Sequence, residues 1–117
     1  MAGLGRNVES HFERSSANVA ETYEAIIKEA KRFGKVREDP KKTSIHLARR
    51  TAFAGVAAQR AALILTLKSD RDIASARVRK REQVSANRWH IEVRLTTPAD
   101  VDTQVRGWLQ RAYSLAG

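Results

Sequence analysis

Apolar residues repeat along this chain with two periods, a helical one near both ends and a period of two in between. Val19, Tyr23, Ile26, Ile27 and Ala30 recur four, seven, eight and eleven residues apart, which lays them on one stripe of a helix. Asn18 and Glu21 stand three apart like the partners of a capping box, and Lys28, Lys31 and Arg32 suit the negative end of the dipole. Gly34 suits the position past the last turn, so a helix is predicted over about residues 16–33. In the closing segment, Thr97, Pro98 and Asp100 form a Thr-x-x-Asp capping box with proline in the first turn. Val101, Val105, Trp108, Leu109, Ala112 and Tyr113 then repeat with helical spacing. Gly107 weakens that helix interior and points to a close packing contact on its side.

Between the helices the alternation is strand-like. Trp89, Ile91, Val93 and Leu95 point one way, and His90, Glu92, Arg94 and Thr96 the other. The run AALILTLK is apolar almost throughout, as a central strand would be, and Ile45 and Leu47 alternate with Ser44, His46 and Ala48. TAFAGVAA reads as a weaker strand interrupted by Gly55, and KVRE before Asp39-Pro40 as a short edge strand. In the stretch from Ala74 to Val84, a strand puts Arg77, Arg79 and Arg81 on one face and Val78 and Lys80 on the other, whereas a helix after a Ser69-Asp70 cap would spread the charges around it; the hairpin loop offered by SAN favours the strand. The pattern predicts an α+β fold: an N-terminal helix, an antiparallel meander of five or six strands and a C-terminal helix, with both helices packed on one face of the sheet. Residues 1–15 form an N-terminal arm, with Gly3-Leu4-Gly5 read as a flexible terminus, and residues 16–117 a single domain.

A chain of 117 residues suits one core. No apolar run approaches the roughly 20 residues needed to cross a bilayer, and MAGLGRNVES lacks the apolar centre of a signal peptide. The expectation is a cytoplasmic protein without a membrane partner. The absence of cysteine removes disulfides, thiolate nucleophiles and cysteine-based zinc sites. The net charge of +9 lies entirely in the middle, because residues 35–94 carry fifteen basic side chains against six acidic ones, while both ends are neutral. Such a block attracts nucleic acid or other anions without specifying which.

The chain contains no glycine-rich phosphate loop, His-Glu-x-x-His or Gly-x-Ser-x-Gly motif. His11, His46 and His90 lie far apart in sequence, so neither a metal nor a cofactor is expected. If the helices cover the face bearing Trp89 and Ile91, then His46, His90, Glu92 and Arg94 share the uncovered face, and the strand reading adds Arg77, Arg79 and Arg81 to it. With seven aromatic residues, most of them on apolar stripes, base stacking is poorly supported, but phosphate-backbone contact needs only clustered Lys and Arg.

HFERS before the first helix, SIHLARRTAFAGVAAQRAALILTL, RWHIEVRL and DVDTQVRGWLQRAY together resemble the small bacterial domain of unknown function numbered 5655. The resemblance runs from His11 to Tyr113. It implies a single α+β domain, found alone or as a C-terminal module and in some proteins labelled predicted transport proteins, with no established activity. His11, Phe12, Phe53, Ala54, His90, Asp102, Trp108, Ala112 and Tyr113 fit its recurring pattern, and Arg49 and Arg50 precede Phe53 as basic residues often do there. Phe12 reads as a staple onto the first helix, and Asp100 and Asp102 as first-turn caps rather than catalytic carboxylates.

The leading expectation is a non-enzymatic module that holds an anionic partner, nucleic acid among the candidates. Arg77, Arg79 and Arg81 form its centre, with His46, His90, Arg94, Arg49 and Arg50 behind them. Charge reversal at Arg77, Arg79 and Arg81 is expected to abolish binding and leave the melting temperature nearly unchanged. The alternatives are a small-molecule-binding protein or enzyme with a pocket around His46, His90 and Glu92, and an interaction module that forms a homodimer through strand edges or helix faces.

Overall fold

The computed structural model describes residues 7–117; the Gly3-Leu4-Gly5 segment lies outside them. The elements run 3-10 helix (Glu9–Phe12), α1 (Ala17–Lys31), β1 (Arg37–Pro40), β2 (Ile45–Ala48), β3 (Ala52–Ala58), β4 (Leu63–Ser69), β5 (Val78–Ser85), β6 (Arg88–Leu95), a second 3-10 turn (Pro98–Asp100) and α2 (Thr103–Leu115). The six strands form one antiparallel sheet in the order β1-β2-β3-β4-β6-β5. The meander holds through β4. The chain then passes over to the sheet's far edge, and β6 returns between β4 and β5. The expected α+β fold is present, with both helices on one face.

Alternation decides which face that is. Ile45 and Leu47, Ala54 and Val56, Leu63, Leu65 and Leu67, and Ile91, Val93 and Leu95 are all buried, and together they form the apolar side of the sheet. Val19, Tyr23, Ile26 and Ala30 from α1 and Val105, Leu109 and Ala112 from α2 close over it. Each valine, leucine or isoleucine among them contributes on the order of 1.5–3 kcal/mol on burial. β3 continues through Gly55, which pairs with His46 on one side and Thr66 on the other. Its irregularity lies instead at Phe53. Leu47 pairs with Ala54 and Ala48 with Ala52, so Phe53 is left over and its ring enters the core, edge-on to Tyr113 with centroids 5.3 Å apart.

Several end signals resolve differently from the sequence expectation. α1 starts after Ser16 with no side-chain cap, so Asn18 and Glu21 do not form a box; the Asn18 carbonyl instead accepts the Thr22 hydroxyl at 2.6 Å. Gly34 does end the helix, with φ of +153° and the Tyr113 hydroxyl packed where a Cβ would stand. The Thr97–Asp100 box is present but closes only the 3-10 turn, and Asp102 caps α2 by accepting from the Val105 N–H at 3.1 Å. Phe12 stacks on Tyr23 at 5.0 Å and Val8 packs on the core, so the arm from Val8 onward is docked on the domain. The Tyr23 hydroxyl donates to Glu38 at 2.6 Å and holds β1 to α1; burial first and this bond second push the phenol up.

Gly107 has nothing within 4 Å of where a Cβ would stand and faces solvent, so the expected packing contact is absent. Gly107→Ala should therefore stabilise the protein by up to about 1 kcal/mol in chemical denaturation. Asp100 accepts from Thr96 N at 2.8 Å, Thr96 Oγ1 at 3.0 Å and Thr97 N at 3.2 Å. The Thr96 amide, the largest of these influences, holds the carboxyl below the usual range. Its stabilisation is complete above the unfolded value of about 3.9 and is lost as pH falls through the folded value. Asp100→Ala should cost roughly 1–2 kcal/mol at neutral pH, and urea midpoints of wild type and variant should converge as the pH drops below about 4.

Candidate functional site: the open face of the sheet

Among the described residues, no second layer covers the face opposite the helices. Across its centre the register places His46 beside Gly55, Gly55 beside Thr66, Thr66 beside Glu92 and Lys68 beside His90. Gly55 has no side chain to fill the space between its neighbours; a Cβ there would meet only His46 Cδ2, at 3.9 Å. The result is a shallow basin of about 270 Å³ with His46, Thr66, Lys68 and His90 on its walls. The two imidazoles thus share this face, as the alternation predicts. Glu92 lies outside the basin and takes Arg79 as an ion-pair partner at 3.7 Å.

The three central arginines do not share a face. Val78 pairs with Val93 and Lys80 with Glu92, so one residue of β5, Arg79, is inserted between two pairs. This bulge resets the alternation. Arg79 and Lys80 both gather at Glu92 on the open side, and Arg81, opposite buried Ile91, leans to the helix side, where it meets Asp72 at 3.4 Å. Arg77 precedes the strand and is committed elsewhere. Its Nη1 donates to both Asp102 oxygens at 2.9 and 2.8 Å and its Nη2 to the Asp100 carbonyl at 2.9 Å, clamping the start of α2. The Asp102 carboxyl is held low by the Val105 amide first and Arg77 second.

The other predicted residues separate as well. Arg94 is exposed on the open face beside Ile64, about 13 Å along β6 from His90. Arg49 stacks over the Tyr113 ring at 4.6 Å and donates to the Tyr113 carbonyl at 3.3 Å, at the end of α2 and away from the basin. Arg50 is exposed in the same β2–β3 turn.

The sequence reading missed Lys68. Its signal is present in the run LILTLKS, where Thr66 and Lys68 break an apolar strand at a period of two on one face. Among the described residues, Lys68 reaches only the Thr51 hydroxyl, at 3.4 Å. Burial first and the nearby Arg88 second push its ammonium below the usual lysine range. On β4, β6 and β5 the open face therefore carries Lys68, Arg79, Lys80, Arg88 and Arg94 against Glu82 and Glu92, and β1 adds Asp39 opposite His46.

The family model for the domain of unknown function DUF5655 matches residues 8–116. The chain belongs to this family. No curated protein and no solved structure matches it. Most positions of this DUF5655 chain that fit the family's pattern serve the fold: Phe12 on Tyr23, Phe53 on Tyr113, Ala112 in the core and Asp102 at the α2 cap. His90 is different, because it stands exposed at the basin. Among the described residues of this DUF5655 domain, no helix is long and apolar enough to cross a membrane.

The clamp reverses one expectation drawn from the sequence. Arg77→Glu should lower the melting temperature by several degrees, since it opposes Asp102 and removes charge-assisted bonds worth roughly 1–3 kcal/mol. Arg79→Glu, at an exposed bulge, should leave it within about a degree.

Proposed function

We propose that the domain is a cytosolic, non-enzymatic binding module whose open sheet face holds an anionic partner, with nucleic acid as the first partner class to test. The observation that carries this reading is Lys68. It sits half-buried between His46 and His90, has a cation for a neighbour, and has no carboxylate on the walls of its basin. An anion supplies the countercharge that the protein itself withholds. Arg88 flanks the same site, and Arg79, Lys80 and Arg94 extend the positive surface across β5 and β6.

A second reading, a compact anion seated in the basin, is favoured by the depression over Gly55. The two readings part on which side chains matter. A polyanion spans the face and needs Arg79 and Arg94, whereas a compact ligand needs only the basin. The enzyme alternative loses support because Glu92, its proposed carboxylate, is turned toward Arg79.

Lys68→Met is expected to abolish binding of single-stranded and duplex DNA probes followed by fluorescence anisotropy, with an unchanged or slightly higher melting temperature because a desolvated charge is removed. Binding to four phosphates should fall on the order of a hundredfold between 50 and 200 mM salt. It should also weaken as pH rises through the lowered Lys68 value, since the cation is then lost. Equal affinity of wild type and Lys68→Met would refute the assignment; loss in Gly55→Val with full affinity in Arg79→Glu would select the compact ligand.

A further inference from the structure

A second concentration of positive charge lies away from the open face. At the end of α1 the chain turns at Gly34 into β1, and beside that turn runs the connection from β2 to β3. Lys31, Lys35, Arg37 and Arg49 converge there on a cleft of about 650 Å³, and among the described residues no acidic side chain lines it. Among the described residues, none of the four forms an ion pair. Of the two carboxylates that follow along the strand, Glu38 accepts from the Tyr23 hydroxyl on the helix side at 2.6 Å and Asp39 is engaged by Lys41 at 2.9 Å.

Helix polarity explains part of this arrangement. Lys31 stands in the last turn of α1, where a cation is favourable, and Arg49 answers the Tyr113 carbonyl near the end of α2. Lys35 and Arg37 lie beyond the helix, exposed, and no side-chain hydrogen bond accounts for them among the described residues. The cleft's frame is also fixed. The Tyr113 hydroxyl donates to the Lys35 carbonyl at 3.0 Å, the same hydroxyl fills the space beside Gly34, and the Arg49 guanidinium is held over the Tyr113 ring. The backbone that presents Lys35 and the planar group of Arg49 are therefore positioned before any ligand arrives.

We infer that this cleft is a second anion site, taking the diphosphate group of a small molecule through Lys31, Lys35, Arg37 and Arg49. Four cations from three segments match a group carrying about three negative charges on adjacent tetrahedral centres better than a single carboxylate. Two of the four are arginines, whose planar donors engage phosphate oxygens in pairs. The site is independent of the open face and stands or falls without it.

Calorimetric titration of the full chain with sodium pyrophosphate, ADP and citrate tests the inference at constant ionic strength. Pyrophosphate should bind, and citrate at least about tenfold more weakly, because charge alone is not the recognition. ADP binding as tightly as pyrophosphate identifies a nucleotide as the source of the diphosphate; pyrophosphate alone identifies the free anion. The double variant Lys35→Glu, Arg37→Glu alters two exposed side chains and should lose pyrophosphate affinity by at least about tenfold at an unchanged melting temperature. Lys35→Ala provides a milder second variant with a smaller loss. Lys68→Met should bind pyrophosphate as wild type does. No heat with pyrophosphate, citrate binding equal to it, full affinity in both Lys35 variants, or a loss in Lys68→Met would each overturn the assignment.

Discussion

Period-two alternation gives every strand residue one of two sides, and in this sheet nearly all the large aliphatic residues fall on one of them. Leu63, Leu65 and Leu67 on β4 and Ile91, Val93 and Leu95 on β6 cannot be left in water, so both amphipathic helices are drawn to the same side. Most of what is left over on the other side is small, polar or charged. The uncovered face is thus not a separate feature that needs its own explanation. It follows from having two helices and one apolar face for them to cover, and it leaves His46, Thr66, Lys68 and His90 side by side.

Tyr113 does for the ends of the elements what the aliphatic face does for their middles. Its ring meets Phe53 from the bulge of β3 and Phe33 from the end of α1, and lies under the Arg49 guanidinium from the β2–β3 turn. Its hydroxyl fixes Lys35 and occupies the space that makes Gly34 necessary. At the opposite end of α2 the same work is electrostatic: Asp102 caps the helix and accepts Arg77, while Asp100 closes the turn before it. One helix is therefore registered on the sheet by an aromatic cluster at one end and a charge-assisted clamp at the other.

Much of this was legible in the sequence, because most of it is periodic. Both helices, the central position of β4, the edge position of β1 and the two sides of β6 follow from counting apolar spacings. The placement of Arg77, Arg79 and Arg81 did not follow, for a definite reason. Alternation is a local rule, and a single inserted residue inverts it downstream; the bulge at Arg79 depends on how β5 meets β6, which no spacing within β5 records. Arg77 was misread for a second reason, since its partner Asp102 lies 25 positions later. Lys68 was hidden by its company, because a lysine at the end of an apolar run reads as the strand's boundary until its neighbours on the face are known.

The basic middle of the chain acquires a spatial meaning from the topology. Antiparallel pairing brings the start of β1, the end of β2, the end of β4 and the start of β6 to the same end of the sheet, which gathers Arg37, Arg49, Lys68 and Arg88 there. Both helices also finish at that end: α1 runs into the turn before β1, and the Ala116 carbonyl accepts from Thr51 in the β2–β3 turn. Their partial negative charge, about half an elementary charge each, offsets part of the repulsion among these cations. It does not neutralise them, since the surplus there exceeds what two dipole ends can balance. Thr51 touches both regions, receiving Lys68 through its hydroxyl and giving its amide to Ala116 beside Arg49. The topology therefore sets the two proposed anion sites at one end of the sheet, each built from its own side chains: Lys68 at the basin, Lys35 and Arg37 at the cleft.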